Sequence, residues 1–146
     1  MNQEFVIKQI TVKASVSRVW KAITNTEEMK KWYFDIPAFK PEVGFEFRFS
    51  AGSDENKYVH LCKITEVVEG SKITYSWRYE GYSGESYVTF ELFPEGDSTR
   101  IRLTHSGLET FPRENPDLKR DNFVAGWTQI IETQLKEFLD VSIGKS

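Results

Sequence analysis

Three features of the sequence predict an α+β fold in which one antiparallel sheet closes over a long C-terminal helix. Five segments after residue 44 alternate apolar and polar residues with period two and are separated by short turn signals. The region from Asn115 to about Val141 instead repeats apolar side chains at three- and four-residue steps. The chain is also rich in rings, with 4 Trp, 6 Tyr and 11 Phe among 146 residues. Each ring can bury roughly 150–250 Å², so a large core or an aromatic-lined cavity is expected.

Glu4 to Lys13, with Phe5, Val6, Ile7, Ile10, Thr11 and Val12, reads as the first strand. Val16, Val19, Trp20 and Ile23 then mark a short amphipathic helix with Ser15 placed to cap it. Asn25 followed by Glu28 resembles a capping box for a second helix carrying Met29 and Trp32 on one side. Pro37, Pro41 and Gly44 break the chain. Phe45, Phe47 and Phe49 alternate with Glu46, Arg48 and Ser50, the mark of a half-buried strand. A polar loop, SAGSDENK, leads to YVHLCKITEVV, and turns at Glu69-Gly70-Ser71, Gly81/Gly84 and Pro94 to Asp97 connect three further strands. Alternation puts Ile73, Tyr75, Trp77, Val88, Phe90, Leu92, Ile101 and Leu103 on the packed face. Thr74, Ser76, Arg78, Thr89, Glu91, Arg100 and Arg102 then meet water. Asn115-Pro116 suits a cap and first position for the last helix, whose stripe is Phe123, Trp127, Ile130, Ile131, Leu135 and Phe138.

Length fits one domain spanning residues 1–146, without internal repeats or linkers. Lys+Arg 19 against Asp+Glu 22 gives −3 with the signs interleaved, so there is no basic stripe for nucleic acid. Mean hydropathy of −0.48 and the lack of a long apolar run exclude a helical membrane span. A single cysteine, Cys62, and an N-terminus without secretory features point to a reducing cytosol. A monomer or weak dimer is expected. HExxH, paired cysteines, GxxxxGK[ST] and GxSxG are all absent from the sequence, so no metal or cofactor is expected and no catalytic residue is assigned.

His60, Cys62, Tyr58 and Ile64 share one row of their strand, opposite Lys63, Thr65 and Val67, but periodicity does not say which row points inward. An inward His60 and Cys62 near Tyr75 would suggest acid-base or thiol chemistry, for which an orienting base and an oxyanion hole would still be needed. His105, beside Ser106-Gly107, reads as a strand-end residue. Gln134 is the odd polar residue inside the helical stripe, where an unpaired amide costs roughly 1–3 kcal/mol. Either a sheet hydroxyl such as Tyr75 or a backbone group satisfies it, or it faces a cavity with water or ligand.

ITVKASVSRVWKAITNTEEMKKW, GFEFRF, ITYSW, STRIRLTHSGL and GWTQIIETQLKEFL, in that order, resemble the bacterial proteins similar to the C-terminal domain of the activator of heat-shock protein 90 ATPase. These belong to the START-like, helix-grip superfamily called SRPBCC. The resemblance runs from Ile10 to Leu139. It implies a strongly curved antiparallel sheet of six or seven strands around the C-terminal helix, two small helices after the first strand, and an apolar cavity between sheet and helix. Trp20, Trp32, Trp77 and Trp127 match recurring tryptophans that pack and wall the cavity, and Gly126 a glycine that lets the helix approach the sheet. The function expected is non-enzymatic binding of a small hydrophobic, lipid-like or aromatic molecule. Its lining would be Trp32, Phe47, Phe49, His60, Tyr75, Trp77, Phe90, Trp127, Ile131 and Gln134. The alternatives are a chaperone-binding module, with a chaperone as partner, and a polyketide cyclase/aromatase-like enzyme.

Overall fold

The computed structural model describes residues 5–52, 57–112, 114–115 and 118–144, with side chains as far as residue 140. β1 (Phe5–Val12) leads into α1 (Val16–Thr24) and α2 (Thr26–Trp32). The meander β2 (Glu46–Gly52), β3 (Lys57–Val68), β4 (Lys72–Tyr79), β5 (Ser86–Glu95) and β6 (Ser98–Ser106) follows. After a 3-10 turn at Leu108–Thr110, the C-terminal helix runs as α3 (Arg120–Trp127), a π-helical segment (Thr128–Leu135) and α4 (Lys136–Gly144). The strands make one curved antiparallel sheet in the order β1-β6-β5-β4-β3-β2. The described residues thus form six of the six or seven strands expected. Hairpins suffice for β2 to β6, while the connection through α1 and α2 carries the chain from one edge of the sheet to the other.

Both short helices start where their caps require. Ser15 accepts from the Arg18 N–H, and Asn25 accepts from the Glu28 N–H while also ending α1. The two helices therefore meet at one residue, and the Trp32 indole N–H locks them by donating to the Ala22 carbonyl at 2.8 Å. The expected inner row, from Ile73 across to Leu103, is buried throughout. On β3 the inward row is His60, Cys62 and Ile64. A bulge between Ile64 and Glu66 then shifts the pleat by one residue. Val67, expected on the opposite row, consequently packs against the core.

The C-terminal helix departs most from its expected form. It begins at Arg120 after Lys119, not at Asn115, whose carbonyl instead accepts from Leu118 in a preceding turn. Pro116 lies outside the described residues. Phe123, Trp127, Ile131, Leu135 and Leu139 are all buried, one every fourth residue. In an α-helix of 3.6 residues per turn such a row drifts by about 40° per step and would leave the sheet. The wider i→i+5 turn of the π segment rotates the row the other way. Alternating α, π and α keeps one row on the sheet for the whole helix. Gly126 is exposed, and a Cβ added there would meet nothing within 4 Å, so close helix-sheet approach does not depend on it.

Candidate functional site

The interior between sheet and helix is a continuous field of rings. Trp77, at the middle of β4, has its centroid 5.7 Å from Phe49, 4.9 Å from His60 and 5.7 Å from Trp127. Phe90 lies 6.4 Å from Trp127 and 6.3 Å from Trp32, and Phe47 meets Tyr75 edge-on at 5.1 Å. Ile131, on the inner side of the π segment, is fully buried. The proposed lining residues are thus brought together and buried, except for Gln134, which is half-buried at the border. Its amide donates to the Trp32 carbonyl at 2.7 Å. Of the partners considered for that amide, a backbone group is the one present. The clasp ties the π segment to the end of α2.

Sequence reasoning missed the stretch after α2. Tyr33, Ile36 and Phe39 are buried and Phe34 half-buried, although this irregular segment holds Pro37 and shows neither helical nor strand periodicity. Tyr33 stacks between Trp32 at 4.8 Å and Trp127 at 6.1 Å and hydrogen-bonds the Tyr75 hydroxyl at 2.5 Å. Phe34 stacks on Phe49 at 4.5 Å. The Phe39 backbone holds the segment to α2, its N–H donating to Thr26 Oγ1 and its carbonyl accepting from it. The available signal was composition, since four large apolar residues in seven (YFDIPAF) are too many for a solvated loop.

His105 is a strand-end residue, the last but one of β6, and also the fully buried centre of a polar chain. The Trp127 indole N–H donates to its Nδ1 at 2.9 Å, and its Nε2 lies 2.7 Å from Ser86 Oγ. Ser86 donates its only proton to the Trp77 carbonyl at 2.8 Å, so it must accept from His105. The imidazole is therefore neutral with the proton on Nε2, and each donor has one acceptor. This chain joins helix, β6, β5 and β4, and leaves His105 no lone pair for an incoming substrate. His60 has the other tautomer. Its Nδ1 faces the Tyr58 carbonyl at 3.0 Å and must donate, which leaves Nε2 as an acceptor.

Burial holds every shifted interior group uncharged. It lowers His60 to about 4 against the opposing pull of the Tyr58 and Phe49 backbone, and lowers His105 to about 3 with a small push from His60. Burial also raises the Cys62 thiol and the Tyr33, Tyr75 and Tyr79 hydroxyls. Cys62 stands opposite Phe47 and Trp77 with Tyr75 its diagonal neighbour on the same face, where it adds to the upward push on the Tyr75 hydroxyl, so the expected grouping forms but burial keeps its thiol protonated. Two concavities lie outside this packed interior. A groove of about 260 Å³ on the outer sheet face includes Arg48, Leu61, Lys63 and Arg78. One of about 290 Å³ lies between the 3-10 turn and the start of α3. No group of three or more His, Cys, Asp or Glu able to hold a metal ion occurs among the described residues, and none of their helices is long and apolar enough to cross a membrane.

A curved antiparallel sheet wrapped on a C-terminal helix, with two small helices after β1 and an uncharged aromatic interior, defines a helix-grip domain. Such a fold supports ligand binding in general. The chain belongs to the family of Activator of Hsp90 ATPase homolog 1-like proteins, whose model matches residues 13–140. Protein MLL2253 from Mesorhizobium loti is 26% identical with a TM-score of 0.76, over 94% of this chain and 97% of that one. Mll3558 from Rhizobium loti is 20% identical with a TM-score of 0.81, over 94% and 98%. DynU16, a protein in the dynemicin biosynthetic locus, is 19% identical with a TM-score of 0.76, over 94% of this chain and 48% of that one. No curated protein matches the chain.

Proposed function

We propose that the domain binds a small, uncharged, apolar molecule between its sheet and C-terminal helix, without catalysing a reaction. The observation that carries this reading is the neutrality of an interior walled by Phe49, Trp77, Phe90 and Trp127. His60 and His105 are held below neutral pH, and the thiol and tyrosyl groups around them above it. A general base works best with a pKa near the operating pH, and none of these groups has one. Burying an ion among these rings would be costly, whereas apolar surface gains roughly 25 cal/mol per Å² removed from water. Amide chemical-shift titration against fatty acids, flavonoids and small aromatics tests this. Saturable shifts on the inner rows of β3, β4 and the π segment are expected, and silence across the panel would refute it.

A second reading, as a chaperone-binding module, is favoured by the family's name. It predicts direct association with heat-shock protein 90 and a changed ATPase rate. Ligand binding without either effect would exclude it.

A further inference from the structure

We infer that Phe34 sits in the place of an aromatic ring of the ligand, and that the ligand is a neutral phenol-class molecule whose hydroxyl donates to His60 Nε2. This rests on the binding reading above and names the ligand class of the same site.

Phe34 lies between two anchors. Tyr33 is buried and tied to Tyr75, Ile36 is fully buried, and the Phe39 backbone is tied to Thr26. Phe34 itself is half-buried. It lies nearly parallel to Phe49, at 4.5 Å and 21°, with His60 at 6.0 Å and the edge of Trp77 at 6.1 Å. Phe49 in turn stacks on His60 at 4.5 Å, so the three centroids form a compact triangle. The Phe34 side chain takes part in neither hydrogen-bonded anchor, so its ring can turn about its own side-chain bonds while both hold. What it vacates is a slot shaped for one planar ring.

The polar character of the slot follows from the His60 tautomer. Nδ1 is committed to the Tyr58 carbonyl, so Nε2 presents a lone pair. The backbone of Phe49 also pulls on the ring, and no side chain among the described residues is bonded to Nε2. The 6.0 Å between the Phe34 and His60 centroids is a span that a ring hydroxyl and an O–H···N bond of roughly 2.8 Å together bridge. A carboxylate would set its own lone pairs against that of Nε2, and an alkyl chain would neither stack on Phe49 nor donate. A phenol does both.

Titration of the native protein and of Phe34→Ala with p-cresol, 4-methylanisole and toluene, followed by amide shifts, tests the inference. In the native protein p-cresol should bind about tenfold tighter than 4-methylanisole, which keeps the ring but lacks the donor. Shifts should centre on Phe49, His60 and Trp77. Phe34→Ala should bind p-cresol about tenfold tighter again, because the competing ring is gone. His60→Phe keeps a ring and loses the lone pair, and should abolish the preference for p-cresol while toluene still binds. If that variant does not fold, the two-ligand comparison decides alone. Toluene binding with equal affinities for p-cresol and its methyl ether, or an affinity unmoved by Phe34→Ala, would overturn the inference and leave the apolar-binding reading standing. No response to any of the three in either protein would overturn both.

Discussion

Lowering the pH from 7 to 5 should remove about 4 kcal/mol of folding stability, through two side chains and by a route that can be dissected. The chain has 2 histidines, both buried, with pKa values pushed down to about 4 for His60 and about 3 for His105. In the unfolded chain each titrates at about 6.5. At pH 5 the unfolded state has taken up both protons and the folded state neither, so stability falls as the pH falls. A histidine sitting about 1.5 units above the solvent pH gives the unfolded state about 2 kcal/mol, and two give twice that. The contribution is fully present above the unfolded value and is lost progressively down to the folded ones. Because pH 5 lies above both folded values, the result depends on the unfolded pKa and hardly on how far burial has shifted the native groups. Against a typical total of roughly 5–15 kcal/mol, the loss is large. Urea midpoints at fixed ionic strength between pH 7.5 and 5 measure it, and His60→Phe should halve the slope. Stabilities at pH 7 and 5 that agree within about 1 kcal/mol would show that the imidazoles are accessible to protons, and with that the closed chain through His105 would fail.

Most strands and both short helices were legible because their signals are local. Period-two alternation places Ile73, Tyr75 and Trp77 on one face without reference to any other segment, and the caps at Ser15 and Asn25 need only three residues of context. Where the reading failed, the deciding partner was distant in sequence. The bulge that turns Val67 inward arises in pairing with β4, and the π segment arises because a four-residue row must stay on a sheet built earlier in the chain. The ring lining was legible in composition and alternation for Phe49, Trp77 and Phe90. Tyr33 and Phe34 were not, since no periodicity marks a loop whose rings are drawn in by Phe49 and Trp127. His105 shows the same limit. Nothing near it in sequence reveals that Trp127 and Ser86 close on its two nitrogens.

Ser86→Ala should cost about 1–3 kcal/mol, because it strands the His105 Nε2–H and the Trp77 carbonyl in a dry interior; a thermal melt at neutral pH would show this, and an unchanged midpoint would break the assigned tautomer. Trp127→Ala should cost about 3–5 kcal/mol, with Trp127→Phe intermediate since it keeps a ring but not the donor; a Trp127→Phe variant as stable as the native protein would mean that the indole bond to His105 adds nothing. Gly84 has φ 102, and a Cβ there would stand 2.4 Å from the Thr110 carbonyl oxygen, whereas Gly81 has φ 84 and open space. Gly84→Ala should therefore destabilise clearly more than Gly81→Ala, and comparable urea midpoints would place the β4-β5 hairpin away from the 3-10 turn. The last test concerns the clasp between helix and α2. Gln134→Leu conserves volume but leaves the Trp32 carbonyl without its donor, so a loss of about 1–2 kcal/mol is expected, tempered because the site is half-buried. Were the amide instead facing a wet cavity, leucine would be neutral or stabilising, since an apolar group would replace a poorly paired polar one. The sign of the change in melting temperature therefore separates the two. A rise would mean that Gln134 is free to meet a ligand and that the bond to Trp32 is not what holds the π segment in place.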